Sequence, residues 1–209
     1  MIFHELHGSF PMTYLLHDAG SLARKQHADL YGAWTAVGSR LAYARSDPRG
    51  HAMEHLDANL DLILRVMESE QKEIINQTGG PMDGGPLFIQ LSLSKTWLFA
   101  VYEIVRETCD VPCGGTKNRS VYCRDASCFR CNSLKPVKDI LARYRVPLAK
   151  LQPMGRDVRQ RNQLPSIAFN NDDGSIAWLT MTASGEPEEK LSRQEISDYI
   201  LEMLLKIEK

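Results

Sequence analysis

The sequence predicts an α+β fold that is mainly α-helical, with a multi-helix core and a small C-terminal β-hairpin packed on that core or extending from it. Apolar residues recur at three- and four-residue steps through most of the chain, which is the spacing of buried helical faces. Near the C-terminus, two β-prone runs flank a strong turn signal. The chain has 209 residues, 43% of them hydrophobic, so we expect residues 1–209 to form a single domain, with residues 1–11 as an extension outside the core.

Two helices are predicted in the first part of the chain. The first covers about residues 21–45, and Asp47 and Pro48 then supply a cap and a first turn for a second helix over about residues 49–77. The apolar face of the first helix contains Leu22, Leu30, Ala33, Trp34, Val37, Leu41 and Ala42. The second has the stripe Leu56, Leu60, Ile63, Met67 and Ile74, with Asp57, Asp61, Glu68 and Glu70 mostly off it.

The middle of the chain predicts two more helices, separated by an irregular segment. Residues 87–93 alternate loosely, so they are compatible with a strand, but the helical spacing of the following residues favours a helix from about Leu91 to Glu107. Residues 109–132 are expected to form a cysteine-bearing loop. Ser133 then caps a helix that Pro147 is expected to end or kink, and residues 152–165 form a polar loop.

The last part of the chain predicts a hairpin and a final helix. The hairpin covers residues 166–182, turning at residues 170–174, and residues 184–189 are expected to be a loop. Ser192, with Glu195 three residues later, predicts a capped amphipathic helix. A two-stranded hairpin is marginally stable alone, so it must pack on the helices or join the sheet of a partner.

Composition and charge exclude several classes of protein. The formal charge of −1 and the pI near 6.6 do not fit a globally basic nucleic-acid binder. No Lys or Arg precedes Arg24 and no sustained apolar run opens the chain, so we expect no secretory signal and a cytoplasmic location. The longest apolar run, residues 97–102, is too short to cross a bilayer, so no membrane partner is expected.

The start of the second predicted helix contains a short metal-site pattern, His51-Ala52-Met53-Glu54-His55. Two histidines four residues apart lie on one helical face and can share a metal ion. The pattern resembles the H-x-x-E-H signature of the inverzincin metalloproteases, which implies His51 and His55 as zinc ligands and Glu54 as the base. Solvent-exposed histidines on an acidic helix explain the same residues without a metal.

The same region supports a second hypothesis. Arg45 precedes His51 and Arg49 precedes His55, each with five residues between, and this spacing resembles that of the HEPN-type ribonucleases. The resemblance implies metal-independent RNA cleavage, in which a histidine moves protons and an arginine stabilises phosphate charge. A solvated helix start is the alternative explanation.

Five cysteines lie within the predicted loop of residues 109–132. Cys109, Cys113, Cys128 and Cys131 have a spacing that suits a structural, tetrahedral Zn²⁺ site, with Cys123 as a spare ligand or a substitute for Cys109. A disulfide and free thiols are the alternatives. A zinc ion here would fasten the loop and catalyse no reaction.

Charge is distributed unevenly along the chain. Residues 135–161 have a local excess of +6, and residues from 172 onward have an excess of −5. The basic segment predicts a binding site for an anionic ligand or nucleic acid, and pairing with the acidic tail is the alternative. The candidate ligand-binding residues are Arg143, Arg145, Arg156, Arg159 and Arg161.

These observations favour a non-enzymatic helical binding module for a protein partner or an anionic ligand. The chain has no P-loop, dinucleotide fingerprint or nucleophile elbow. We expect a homo-oligomer formed through the C-terminal helix and hairpin. The alternative is a metal-independent ribonuclease or zinc hydrolase that uses residues 45–55.

Overall fold

The computed structural model describes residues 12–45, 50–80, 84–110, 128–150, 166–181 and 187–206. Helices dominate these ranges and a three-stranded antiparallel sheet lies near the C-terminus, which confirms the predicted α+β, mainly α fold. No helix in them is both long and apolar enough to span a membrane. The elements are α1 (Met12–Gln26), α2 (Ala28–Arg45), α3 (Gly50–Thr78), α4 (Gly85–Asp110), a π-helical turn (Arg130–Leu134), α5 (Lys135–Lys150), β1 (Ser166–Asn170), β2 (Ser175–Met181), β3 (Pro187–Ser192) and α6 (Arg193–Leu205).

The first predicted helix is divided in two at His27, where α1 and α2 meet. Backbone hydrogen bonds continue through the junction: His27 N donates to Ala23 O at 3.0 Å, and Tyr31 N donates to His27 O at 2.9 Å. Leu22 was predicted on the buried face and is 51% exposed, so this prediction is wrong. The reason is that the small residues Gly20 and Ala23 form the buried side of α1.

The helix α3 agrees with its predicted bounds, whereas α4 is longer than predicted. It begins six residues before Leu91, so the loosely alternating residues 87–93 are helical. Alternation over so few residues does not distinguish a strand from a helix. At its other end α4 continues to Asp110, so Cys109 lies in a helix and not in an irregular loop.

The prediction that Ser133 caps a helix is wrong, because Ser133 is buried inside the π-helical turn that precedes α5. The helix then continues through Pro147 to its end at Lys150. Proline lacks the N–H that would donate to the carbonyl four residues earlier, so α5 loses one hydrogen bond there and continues for only three more residues. Val137, Leu141 and Tyr144 are buried, as predicted.

The predicted hairpin is present as β1 and β2, which pair antiparallel with Asn170 opposite Ser175. The loop predicted over residues 184–189 is partly wrong, because β3 begins at Pro187 and pairs antiparallel with β2, with Ser192 opposite Ala177. The charged sequence of β3 has little β-propensity, so its strand conformation depends on the edge that β2 offers.

The hairpin packs on the helices through its turn and through β2. Gly174 has φ +75°, and a Cβ atom there would lie 2.1 Å from Glu68 O. The side chain of Gln90 donates to Gly174 O at 2.8 Å. The apolar cluster shared by sheet and helices includes Trp34, Val37, Leu41, Trp97, Leu98, Val101, Leu141, Tyr144, Ile176, Trp178, Ile196, Ile200 and Leu204.

The final helix begins as predicted and is packed within the chain. Ser192 Oγ accepts from Glu195 N at 3.1 Å, and a Glu195 carboxylate oxygen accepts from Ser192 N at 2.7 Å, which completes a capping box. Ile196, Ile200 and Leu204 are fully buried. These three residues are therefore unavailable for contact with a second copy. Of the two elements predicted to form a homo-oligomer, the hairpin remains.

Candidate functional site

The five predicted catalytic residues lie around the junction of α2 and α3. Arg45 is the last residue of α2, and Arg49 lies outside the described residues. His51, Glu54 and His55 belong to the first two turns of α3, whose backbone places the two histidines one turn apart. Their side chains and that of Arg45 lie outside the described part of the structure. The zinc-hydrolase and ribonuclease hypotheses therefore stay predictions.

Three of the four predicted zinc ligands lie in the described residues, and Cys113 does not. Cys109 is in the last turn of α4, and the π-helical turn that contains Cys131 packs against α4. The N–H groups of Cys131 and Asn132 both donate to Cys128 O at 3.0 Å, which makes a tight turn between the two cysteines.

The titration of Cys109 indicates the neighbourhood of its thiol. Burial raises its pKa to about 11, Lys138 opposes the increase, and Asp110, Asp139 and Cys131 add to it. Cys131 is therefore an electrostatic neighbour of Cys109. Among the residues described, no three His, Cys, Asp or Glu side chains are arranged to hold a metal ion, and the fourth predicted ligand, Cys113, lies outside them.

The described part of the basic segment is paired within the chain. Arg143 contacts Glu189 of the acidic C-terminal region, and Arg145 donates to Glu103 at 2.5 Å. Arg143 is thus paired with the acidic C-terminal region, and Arg145 is paired with a carboxylate of α4. The remaining candidate ligand-binding residues, which lie outside the described ranges, are Arg156, Arg159 and Arg161.

A buried cluster of four charged side chains joins α3 to α6. Asp61, Arg65, Glu68 and Arg193 are each at most 5% exposed. Both carboxylate oxygens of Glu68 accept from Arg193, which also donates to Asp61. Asp61 in addition accepts from Arg65 Nε at 3.1 Å. Two anions and two cations thus alternate in space, and we call this group the buried ion cluster.

The exposed carboxylate of Asp198, which accepts from Arg65, and several neutral groups complete the coordination of the buried ion cluster. Asp61 accepts from Trp34 Nε1 at 2.9 Å and from Ser197 Oγ at 2.7 Å. The guanidinium carbon of Arg193 lies 5.2 Å from the centre of the Trp97 ring. Buried charges persist only when paired and hydrogen-bonded, and this cluster meets both conditions.

The charges of the cluster control how Asp61 titrates. Burial by itself would raise the pKa of Asp61, but Arg193, Arg65 and the hydrogen bonds from Ser197 and Trp34 together lower it below its ordinary value. A carboxyl group with a lowered pKa is ionised at neutral pH. Asp61 is therefore a carboxylate in the folded protein.

Asp61 and Glu68 were predicted mostly outside the buried stripe of α3, and this prediction is wrong, because both are buried. Asp61, Arg65 and Glu68 follow each other at steps of four and three residues, so they lie on one side of the helix. Alternating charge at this spacing is also typical of exposed helices. Arg193 is the partner that shows this side of α3 to be buried and not exposed, and it is 125 residues from Glu68 along the chain.

The charged cluster and the cavity in the described interior offer no visible substrate site. None of the four charged side chains of the cluster has a buried polar atom without a partner. A cavity of about 20 Å³ lies between α2, α4 and α6, room for about one water molecule. Its lining is apolar, so it offers nothing that could orient a polar substrate. The lining residues are Trp34, Val37, Gly38, Leu41, Val101, Ile104, Val105, Ile200 and Leu204.

Large apolar side chains are exposed together on α1. Tyr14, Leu15, Leu16 and Leu22 have exposed fractions between 51% and 62%. Leu15 and Leu22 are seven residues apart, so two helical turns return them to the same side of α1. Tyr14 borders this side, whereas Leu16 lies on the side of Gly20 and Ala23. We call Tyr14, Leu15 and Leu22 the α1 apolar surface.

The chain matches no protein-family model, and comparison with the curated proteins and with the solved structures finds none similar to it. Its function must therefore be inferred from the chemistry of its own residues.

Proposed function

We propose that this chain is a non-enzymatic helical binding module that recognises a protein partner through the α1 apolar surface. The observation that carries the proposal is the exposure of Tyr14, Leu15 and Leu22 on adjoining sides of one helix. Clustered exposed apolar groups mark interaction sites, because their burial against a partner removes them from water. Scattered single residues would need no such explanation.

The partner segment that fits this surface is an amphipathic helix. The seven-residue separation of Leu15 and Leu22 is the repeat by which two helices pack along a shared seam. Asp18 and Lys25 are both exposed and lie beside this side of α1. A partner helix that complements the surface therefore has leucine-like residues on its seam, a basic residue opposite Asp18 and an acidic residue opposite Lys25.

The pairing of the basic segment favours a protein over an anionic ligand. A phosphate group bound at Arg143 or Arg145 would have to displace Glu189 or Glu103. Within the described ranges the residues of the α1 apolar surface are already exposed, so no described side chain has to be displaced from them. Burying a leucine side chain contributes about 1.5–3 kcal/mol, so even two leucines supply a useful affinity.

The burial and pairing of the charged groups in the interior support binding without catalysis. A general acid or base has to reach the substrate, whereas Asp61 and Glu68 are engaged by Arg65 and Arg193 inside the protein. The cavity between α2, α4 and α6 is apolar and too small for a substrate.

A designed helical peptide tests the proposal directly. The peptide carries leucines at seam positions, with Lys opposite Asp18 and Glu opposite Lys25, and binding is measured by fluorescence anisotropy. We expect the variant L15E/L22E to bind at least about tenfold more weakly, because both seam leucines are lost. The matched control is Y43E, which changes an apolar residue that is 89% exposed on α2 and should leave binding unchanged.

Two results would contradict this function. One is equal binding of the peptide to the parent chain and to L15E/L22E. The other is RNA cleavage that survives a chelator and disappears in H51A/H55A, which would establish the ribonuclease alternative. A peptide with its charges exchanged serves as the second control, and we expect it to bind more weakly than the designed peptide.

We further propose that the cysteine segment binds one structural zinc ion through Cys109, Cys113, Cys128 and Cys131. The neighbourhood of Cys109 and Cys131, and the tight turn between Cys128 and Cys131, support this. We expect one equivalent of zinc by elemental analysis of the purified protein, lost in C131S and retained in the matched control C123S. Retention of zinc in C131S would overturn the assignment.

A further inference from the structure

The two edges of the sheet differ in how they are protected against pairing with another strand. The edge strand β3 contains Pro187, two glutamates and Lys190, and a register shift interrupts its pairing with β2 near Thr180. Proline, charged residues and irregular pairing are the devices by which edge strands avoid association. The edge strand β1 reads Ser-Ile-Ala-Phe-Asn, with none of these devices within it.

The unprotected edge of β1 also exposes an apolar side chain. Ile167 is 46% exposed, and one side of β1 has no strand beside it in the described sheet. An edge strand presents N–H and C=O groups that can pair with another extended strand. Apolar residues beside such groups add affinity, because pairing also removes them from water.

We propose that β1 pairs antiparallel with β1 of a second copy of this chain, so that the two sheets join into one continuous sheet of six strands. The pairing is centred on Ala168 of both copies. It places Ile167 of each copy opposite Phe169 of the other, and Ser166 of each opposite Asn170 of the other. The contact has twofold symmetry, because the axis passes between the two Ala168 residues and every other pair occurs twice.

This register is self-complementary at every pair. Ile167 and Phe169 lie on the same side of β1 as Ile176 and Trp178 of β2, because directly paired residues share a face of the sheet. Apolar residues therefore meet apolar residues on the side that carries the core. Ala168 faces the other side, where its small side chain permits close approach. No charged residue occurs in β1, so the two copies bring no like charges together.

A second copy fits the open edge better than an arbitrary extended peptide. A pairing partner has to present apolar residues at alternate positions on the core side, because a shift of one residue exchanges the two faces. The sequence of β1 itself meets this requirement in the antiparallel sense. Five residues of strand pairing form a smaller interface than that of a stable dimer, so we expect dissociation in the micromolar range or weaker.

Sedimentation velocity and hydrogen exchange on the full chain test the inference. Between about 1 and about 500 μM protein, we expect the sedimentation coefficient to rise toward that of a dimer. Over the same series, amide exchange in residues 166–170 should slow. I167K places a charge at the interface and should remain monomeric, whereas the matched control L22K, which changes an exposed leucine of α1, should still dimerise.

The sedimentation and exchange results either support or overturn pairing between two β1 strands. A chain that stays monomeric throughout the series overturns the inference. Dimerisation that L22K abolishes and I167K leaves intact also overturns it, and assigns self-association to α1. Concentration-dependent protection of residues 166–170 in the parent chain supports the inference even where I167K is found by circular dichroism to be unfolded. The inference goes beyond the proposed function, since the peptide assay concerns only α1.

Discussion

The buried ion cluster and the ion pairs of α5 use the same kinds of side chain in two different environments. Arg193 is fully buried and contacts Glu68 and Asp61, whereas the Arg143 side chain is 49% exposed and contacts Glu189. Water competes for both partners at the surface, so an exposed pair contributes little to stability. In the interior a removed partner leaves a charge that nothing else can solvate, so the loss is large. Burial, more than the number of contacts, therefore sets the energetic importance of each pair.

Arg145 lies between these extremes. Its side chain is 24% exposed, and it donates to Glu103 while its guanidinium carbon lies 5.0 Å from the centre of the Tyr102 ring. The attraction between a cation and an aromatic ring is stronger when the cation is partly desolvated. Substitutions at Arg193, Asp61, Arg145 and Arg143 consequently form a series in which the expected loss of stability follows burial.

We expect R193M to have the largest effect, a loss of about 3–5 kcal/mol in the free energy of unfolding. Methionine approximates the volume of the arginine stem but leaves the carboxylate of Glu68 buried and unpaired. Urea denaturation followed by circular dichroism measures the loss. The control E68M/R193M removes that carboxylate as well, and its stability should recover part of the difference. A loss in R193M no larger than that of a surface variant would contradict the assignment of this pair.

D61N should cost roughly 3 kcal/mol at pH 7, because a charged acceptor of several hydrogen bonds becomes neutral. The pKa of Asp61 is lower in the folded chain than its ordinary value of 3.8. Its contribution is therefore fully present above about pH 4 and is lost as the pH falls through the folded pKa. Unfolding measured at pH 7 and pH 3 should show the difference between parent and D61N shrinking at the lower pH. A difference that grows on acidification would show that Asp61 is protonated in the folded chain.

R145A is expected to cost about 1 kcal/mol, from the lost contact with Tyr102 and the lost pair with Glu103. Added salt screens the ion pair but leaves the packing of the guanidinium on the ring, so the loss should decrease only partly in high salt. Thermal unfolding at low and high salt checks this. A loss that disappears completely in salt would show that the ring contact contributes nothing.

R143A should have the smallest effect, at most about 0.5 kcal/mol, because both side chains of the pair with Glu189 are substantially solvated. Its unfolding curve should nearly coincide with that of the parent chain at moderate salt. A loss comparable to that of D61N would mean that exposure does not determine the importance of these pairs.

Local sequence patterns correctly predicted the elements whose start or turn is specified by a few neighbouring residues. The capping box of Ser192 and Glu195 starts α6 where the sequence predicts, and the hairpin turns at Gly174, where a positive φ suits glycine. The start of α4 and the division at His27 were missed, since both depend on which of two weak local preferences the packing favours. The strand β3 was missed for a related reason, because its conformation depends on the neighbouring strand.

For the candidate sites, the sequence identified residue types but not their surroundings. It assigned Arg143 and Arg145 to a ligand without showing that Glu189 and Glu103 lie beside them. The exposed surface on α1 was also missed, because Leu22 satisfies the periodicity of a buried face. Spacing along a helix specifies which side chains share a side, and only neighbouring elements determine whether that side is buried.

The sequence by itself determined that this protein is mainly helical with a C-terminal hairpin, because helix periodicity, caps and turn residues act over a few positions. Only the tertiary structure decided that Asp61 and Glu68 are interior residues, since their counter-ion Arg193 comes from a distant helix. The same holds for the edge position of β1 in the described sheet, which depends on which strands pair with one another. Burial and pairing are properties of contacts between distant segments, and a local pattern contains no information on the segment it will meet.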